Sequence, residues 1–382
     1  MIYRWSLYFF LILSANVFGQ ELKTRFTLYA PDLPDTSSVY IAGSVPQLGN
    51  WNPSRIKMNP QGKQIWVKEI VLSQPISVEY KYTLGSWDRE AANEKGLPLK
   101  NFSVTVTDGK VVYDTVSYWK DGAARKINGQ VTGTVKYHRA MKGEGIKDRD
   151  VVVWLPPGYD SSSQKRYSVL YMQDGQNLFD PITSAFGTDW QIDETADSMI
   201  RRKAVEPLII VGIYNTADRS TEYIPSEKGR IYREFIAGHL KSFIDSAYKT
   251  KPGRKDSFIG GSSAGGILAF MMVWEYPDKF SRAICMSPAF RLPGNSKTGW
   301  NYVTTVKNDP KRKKVFFYID NGGLGLEQQL QPGVDEMLKA LNSKGYKPGR
   351  DYIFIAAPDA GHNEEAWSKR FPQALKLVLS KN

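Results

Sequence analysis

Seven short apolar runs in the last two thirds of the chain restrict its fold more than any other feature. Residues 150–155, 167–172, 208–213, 256–259, 282–286, 315–319 and 352–356 are nearly continuous in Val, Ile, Leu, Phe, Tyr and Met. A strand with one wet face alternates apolar and polar residues; a run without alternation is buried on both faces, which calls for helices above and below a mainly parallel sheet. Between two of the runs, Ile231, Phe235, Ile236, Leu240, Phe243, Ile244 and Tyr248 recur at helical spacing and form one apolar stripe. Residues 131–382 are therefore expected to fold as one α/β domain of ordinary size, about 250 residues.

The preceding hundred residues have a different texture. Short alternating runs at 25–29, 39–42, 66–72 and 78–82, separated by Gly, Pro, Asn and Ser, predict a small all-β sandwich of immunoglobulin-like type over residues 20–119. Residues 120–130 are polar, without apolar periodicity, and are read as the linker. A chain of 382 residues is long for a single core, so two domains agree with its length. At the start, Arg4 is followed by an apolar run over residues 5–13 and by small residues up to Gly19. That order reads as a secretory signal over 1–19, cleaved after Gly19, because the apolar run is well short of the roughly 20 residues that span a bilayer. A secreted or periplasmic protein follows, with no membrane attachment after signal removal.

Composition narrows the function classes. The formal net charge is +12, from 51 Lys and Arg against 39 Asp and Glu, but the basic residues are scattered. Their one tight run, 311–314, stands at a strand entrance, so nucleic acid is not an expected partner. Cys285 is the only cysteine and lies in an apolar run, which excludes an internal disulfide and predicts a buried strand thiol. With three dispersed histidines and one cysteine there is no ligand cluster, and no metal or other cofactor is expected.

The segment Gly261-Ser262-Ser263-Ala264-Gly265 is a G-x-S-x-G motif between an apolar strand and an apolar helix. In that context the serine at the apex of a sharp strand-to-helix turn is a nucleophile, and glycines two residues to either side avoid collision. Ser263 fits; Ser262 would need a glycine where Ala264 stands. A serine hydroxyl needs a base, which in such a fold lies later in the chain, and of the three histidines only His362 follows Ser263. His138 sits in an early strand and His239 on the amphipathic helix. The acid that orients the imidazole should follow the preceding strand, where the sequence offers Glu327, set past a glycine turn and preferred, or Asp320 at the strand end. Two backbone N–H groups should bind the oxyanion, that of Ala264 at a helix N-terminus and that of Gln176 in the loop after residue 172.

These motifs carry a resemblance. Residues 170–180 (LYMQDGQNLFD), 260–266 (GGSSAGG) and 361–363 (GHN) resemble the putative-esterase family, which includes esterase D, feruloyl and acetylxylan esterases and enterochelin esterases. The resemblance runs from about Val131 to the C-terminus and implies a serine esterase of α/β-hydrolase fold. It departs at the longer glycine turn 322–325, which leaves both candidate acids open, and it implies a pocket-shaping role for 215–223 with Arg219 and Glu222. The N-terminal domain resembles starch-binding carbohydrate modules through residues 41–51, Trp66, 79–82 and 85–88. There the resemblance implies that Trp51 and Trp87 stack on sugar rings and that Lys81 bonds hydroxyls, with Trp66 in the core; residues Asn101 and Phe102 depart from it. A secreted esterase removing acetyl or feruloyl groups from a polysaccharide is the favoured reading, with a polysaccharide or small ester as partner. A siderophore trilactone esterase of enterochelin type and a non-catalytic glycan-binding protein are the alternatives, and the sequence leaves the oligomeric state open.

Overall fold

The computed structural model describes residues 21–93, 96, 98–120, 129–184, 187–292 and 299–380. The signal expected over 1–19 and most of the expected linker 120–130 lie outside the described residues. Contacts divide the described chain into two units, one of residues 21–93 and 99–119 and one of residues 96, 98 and 120 onward.

The first unit is all β. One sheet orders its strands Asn59–Gly62, Ile65–Leu72, Leu22–Tyr29 and Lys110–Thr115; the other orders Tyr40–Gly43, Ile76–Thr83 and Phe102–Val106. Alternation in Leu22–Tyr29 buries Leu22, Thr24, Phe26 and Leu28 on one face. Phe26 and Leu28 pack with Ile41, Trp66, Ile70, Val78 and Tyr80 into the core of this unit. Phe26 meets Tyr80 edge-on at 4.9 Å between ring centroids. Trp66 is fully buried and donates its indole N–H to Ser37 O, as expected of a core tryptophan with a satisfied polar tip.

The second unit holds an eight-stranded sheet. In chain order its strands are β1 (Thr134–Gly143), β2 (Ile146–Leu155), β3 (Ser168–Gln173), β4 (Leu208–Ile213), β5 (Ser257–Ser262), β6 (Arg282–Met286), β7 (Phe316–Gly322) and β8 (Tyr352–Ala357). Their spatial order is β1-β2-β4-β3-β5-β6-β7-β8. The β1–β2 and β2–β4 pairs are antiparallel and every later pair is parallel. Each of the seven apolar runs is one of these strands; β1, largely exposed, closes one edge. The helices are α1 (Ile192–Arg201), α2 (Arg219–Glu222), α3 (Glu227–Phe235), α4 (Lys241–Ala247), α5 (Ala264–Glu275), α6 (Tyr302–Asn308), α7 (Leu326–Ser343) and α8 (Glu364–Leu379).

Helices cover both sheet faces, so the strands divide their side chains between two apolar clusters. Val151, Val153, Tyr171, Ile259 and Phe317 join α3 to α7, whereas Val152, Leu170, Met172, Ile284 and Tyr318 join α1 and α8. A π turn, Ile236–Leu240, connects α3 to α4 and carries the predicted stripe past its midpoint. Cys285 is buried at the sheet centre, where burial pushes its thiol far above the usual range. The basic run 311–314 stands ahead of β7, with Arg312 and Lys313 paired to Asp351 and Asp309.

One ion pair lies inside this packing. Arg149 donates from Nη2 to Glu222 Oε1 at 2.7 Å and from Nη1 to Oε2 at 3.2 Å. Both side chains are inaccessible, and the guanidinium lies 4.3 Å from the Tyr232 ring centroid. Removing one partner of such a pair leaves a buried charge uncompensated, at a cost of about 3–5 kcal/mol. Arg149→Met is expected to lower the melting temperature by on the order of 10 °C. A shift under about 2 °C in a thermal melt would show that Glu222 finds another partner or a proton.

Candidate active site

The chain turns abruptly at the end of β5. Ser263 takes φ 56° and ψ −121° between the strand and α5, a conformation that costs a non-glycine residue free energy. A Cβ on Gly261 would stand 2.7 Å from Gly265 O, so a side chain there cannot coexist with the bend. The bend is held from both sides: Ser263 N donates to Met286 O at 2.9 Å, and Ala289 N donates to Ser263 O at 3.1 Å. Ser263 and Ala264 are half-buried, in contrast to the fully covered residues around them.

The Ala264 N–H opens α5, so it precedes the amides that have acceptors within the helix. A Cβ on Gly265 would lie 3.2 Å from Gln173 Cβ, which places this helix start against the end of β3, where the loop bearing Gln176 begins. Asp174 there adopts a left-handed φ of 56° and is gripped by Arg219, Nε to Oδ1 at 2.7 Å and Nη2 to Oδ2 at 2.8 Å, with Asn215 Nδ2 at 2.6 Å. Burial alone would raise the Asp174 pKa, but Arg219 and these hydrogen bonds hold it below the usual carboxylate range. Gln176 is the half-exposed residue of a turn otherwise buried, its Oε1 accepting from Asn215 N at 3.2 Å. The 215–223 segment thus braces the loop through Arg219 and Asn215, whereas Glu222 pairs with Arg149.

The two candidate acids separate clearly. His362 Nδ1 lies 3.4 Å from Glu327 Oε1, an ion-pair distance that closes to a hydrogen bond with a movement of about 0.5 Å. Glu327 is fully buried and stands in the first turn of α7, not in a loop as its place after the glycines suggested. The glycines explain the approach: a Cβ on Gly322 would fall 2.6 Å from Glu327 Cγ and 2.3 Å from Ala360 O, and one on Gly323 2.2 Å from Pro358 O. Gly323 N and Leu324 N both donate to Ala360 O, tying the turn to the segment that carries His362. Asp320 instead lies 3.2 Å from Arg370 Nε and accepts from Ser287 N and Tyr318 Oη.

Residues without a sequence signal complete this network. Ser287 Oγ donates to Glu327 Oε1 at 2.5 Å and accepts from Trp367 Nε1 at 3.0 Å and Arg370 Nη2 at 2.9 Å. Trp367 also meets the His362 ring edge-on, with centroids 4.9 Å apart. Burial raises the Glu327 pKa, but His362, Ser287 and Arg370 outweigh it and hold the carboxylate ionised below its ordinary range. Glu364 is held the other way, up to about 7, by burial and by Asp174. A serine at the bend, a half-buried imidazole and an ionised carboxylate thus all follow carboxyl ends of parallel strands, β5, β8 and β7 of the sheet. His138 bonds Tyr248 and His239 is exposed, so neither belongs to this group.

In the first unit, Trp51 and Trp87 are half-exposed neighbours, their rings 6.5 Å apart and tilted by 40°. Lys81 Nζ lies 2.8 Å from Glu90 Oε2, both side chains almost wholly buried, so its ammonium is committed to an internal pair.

Comparison with known proteins agrees with both units. Residues 146–378 match the family model "Putative esterase" and residues 21–116 that of the starch binding domain. The chain belongs to the putative-esterase family of α/β hydrolases, joined to a starch-binding-type β domain. A ferulic acid esterase structure superposes with a TM-score of 0.54 at 19% identity, covering 65% of this chain and 98% of its own. The enterobactin esterase FES from Shigella flexneri gives 0.57 at 12%, covering 93% of this chain and 92% of its own. At those identities the likeness is one of fold. An amylopullulanase of Thermoanaerobacter thermohydrosulfuricus is 34% identical over 104 residues, which are 26% of this chain and 7% of that protein. The uncharacterized protein YjcH of Bacillus subtilis is 27% identical over 159 residues, 41% of this chain and 62% of its own. The chain therefore spans only part of these curated relatives.

Asp320 gives this region a pH signature. Burial, opposed by Arg370, raises its pKa to about 6, against about 4 in an unfolded chain. Between those values the folded state binds more protons, so this contribution to stability grows as pH falls from 6 to 4 and is lost as pH rises through 6. Urea unfolding midpoints measured across that window should show the slope, and Asp320→Asn should flatten it.

Proposed function

We propose that this protein is an exported serine carboxylesterase that removes acetyl or feruloyl groups from a polysaccharide through an acyl-enzyme. The observation that carries this reading is the strained Ser263 bend at the carboxyl end of β5 together with the His362–Glu327 couple, which follows the carboxyl ends of β8 and β7 in the same sheet. Ser263 Oγ attacks the ester carbonyl while His362 takes its proton, and buried, ionised Glu327 fixes the imidazole tautomer and stabilises the cation that forms. The N–H groups of Ala264 and Gln176 receive the oxyanion, the former aided by the positive end of α5. His362 then returns the proton to the departing sugar alcohol, and water, deprotonated by the same imidazole, releases the acid. Asp320 serves to hold Arg370, and through it Ser287 and Glu327.

Ester hydrolysis is supported by the family match, and a glycan substrate by the module fused to it. The paired indoles of Trp51 and Trp87 offer flat apolar surface to a pyranose face. Export rests on the N-terminal apolar run. The siderophore trilactone reading gains from a fold likeness to an enterobactin esterase over 93% of the chain and from the +12 charge, suited to an anionic catecholate.

Ser263→Ala should lower nitrophenyl acetate turnover by on the order of 10⁴ or more, and equal rates would leave only a glycan-binding role. Glu327→Gln should cost far more activity than Asp320→Asn; the reverse order would reassign the acid. Assayed on acetylated xylan, feruloylated arabinoxylan and ferric enterobactin, the wild type should prefer one of the first two. Independently, Trp87→Ala should abolish retention on insoluble polysaccharide without changing nitrophenyl acetate turnover, and unchanged retention would remove the sugar role from that residue.

A further inference from the structure

Asp189, Asp193 and Glu194 bring three carboxyl groups together where the loop after β3 enters α1, with one oxygen of each within 4.8 Å of the others. Asp189 and Asp193 are buried, the latter completely. The hydrogen bonds around them leave oxygens over. Asp193 Oδ2 accepts from Thr132 N at 2.6 Å, Asp189 Oδ2 from Gln191 N at 3.0 Å, and Glu194 Oε1 from Gln130 Nε2 at 3.1 Å. Asp193 Oδ1 and Glu194 Oε2 are buried and accept from no donor outside the group, while the Asp193 and Glu194 carboxyl groups lie within hydrogen-bond reach of each other. No lysine, arginine or histidine among the described residues pairs with any of the three; the nearest charges acting on Asp189 and Asp193 are other carboxylates.

Three carboxylates at such spacing repel one another, and two of them lack the water that would screen the repulsion. A group of this kind needs either shared protons or a cation to balance it. An all-oxygen donor set of high negative charge suits a hard divalent ion, and calcium accepts the irregular geometry and the additional carbonyl or water ligands such a site supplies better than magnesium does. The placement gives the ion a structural task. Thr132 and Gln130 lie just ahead of β1, whereas Trp190 N and Ile192 N close the loop onto Asn177 O and Leu178 O, beside Gln176. Metal at this point would tie the loop bearing the oxyanion donor to the chain entering the sheet.

We infer that Asp189, Asp193 and Glu194 form a calcium site that fastens the Gln176 loop to the start of the α/β domain. The inference does not rest on the esterase reading and is tested on binding and stability. Full-length protein stripped with EDTA is titrated with CaCl2 in a calorimeter and melted with and without 5 mM calcium; terbium luminescence, excited through the neighbouring Trp190, is followed in parallel. Expected are one ion per chain, a rise in melting temperature of several degrees, and terbium emission displaced by calcium. Asp189→Asn and the half-exposed Glu194→Gln should each weaken binding at least tenfold while retaining the far-ultraviolet circular dichroism of the wild type. If neither calcium nor terbium binds saturably, the carboxyl groups share protons and the site does not exist. Undiminished binding in both variants would place the ion elsewhere and equally overturn the assignment.

Discussion

The bend at Ser263 is tolerable only because its neighbours hold it. Its backbone N–H and carbonyl are both taken up by the chain leaving β6, at Met286 and Ala289. The free energy that an L-residue spends on such a φ is therefore offset by hydrogen bonds from a rigid, fully buried strand. The same strand end continues into Ser287, which bonds Glu327, the carboxylate facing His362. One short stretch after β6 thus holds Ser263 on one side and Glu327 on the other, and the relation between them is set by sheet register rather than by loop conformation.

Much of this was legible in the residues. Runs without alternation pointed to strands covered on both sides, and every one of the seven is a strand of the sheet, although β8 at its edge is only partly covered. The glycines of the motif were interpretable because a collision is a local matter, and Gly261 meets Gly265 four residues away. The choice between Glu327 and Asp320 was not local. It depends on Gly322 and Gly323 letting the turn after β7 lie against Pro358 and Ala360, a close approach between segments more than thirty residues apart. Arg370, Trp367 and Ser287 carry no motif at all. They act because α8 turns two of them toward the end of β6, and their spacing along the helix looks like that of any amphipathic face.

Charged residues mark the limit of reading by type. Lys81 has the right neighbours for a sugar contact, yet its ammonium is spent on Glu90 inside the first unit. The three carboxyl groups at the start of α1 resemble the acidic first turn common at helix N-termini. What distinguishes them is burial without a countercharge, which no composition or spacing rule exposes.

Cys285 has a consequence for the life of the polypeptide. Its sulfur is the only one able to form a covalent bridge, and the central sheet encloses it completely. The chain therefore reaches one covalent state in reducing and oxidising surroundings alike, and its folding needs neither an oxidant nor an isomerase to sort thiols.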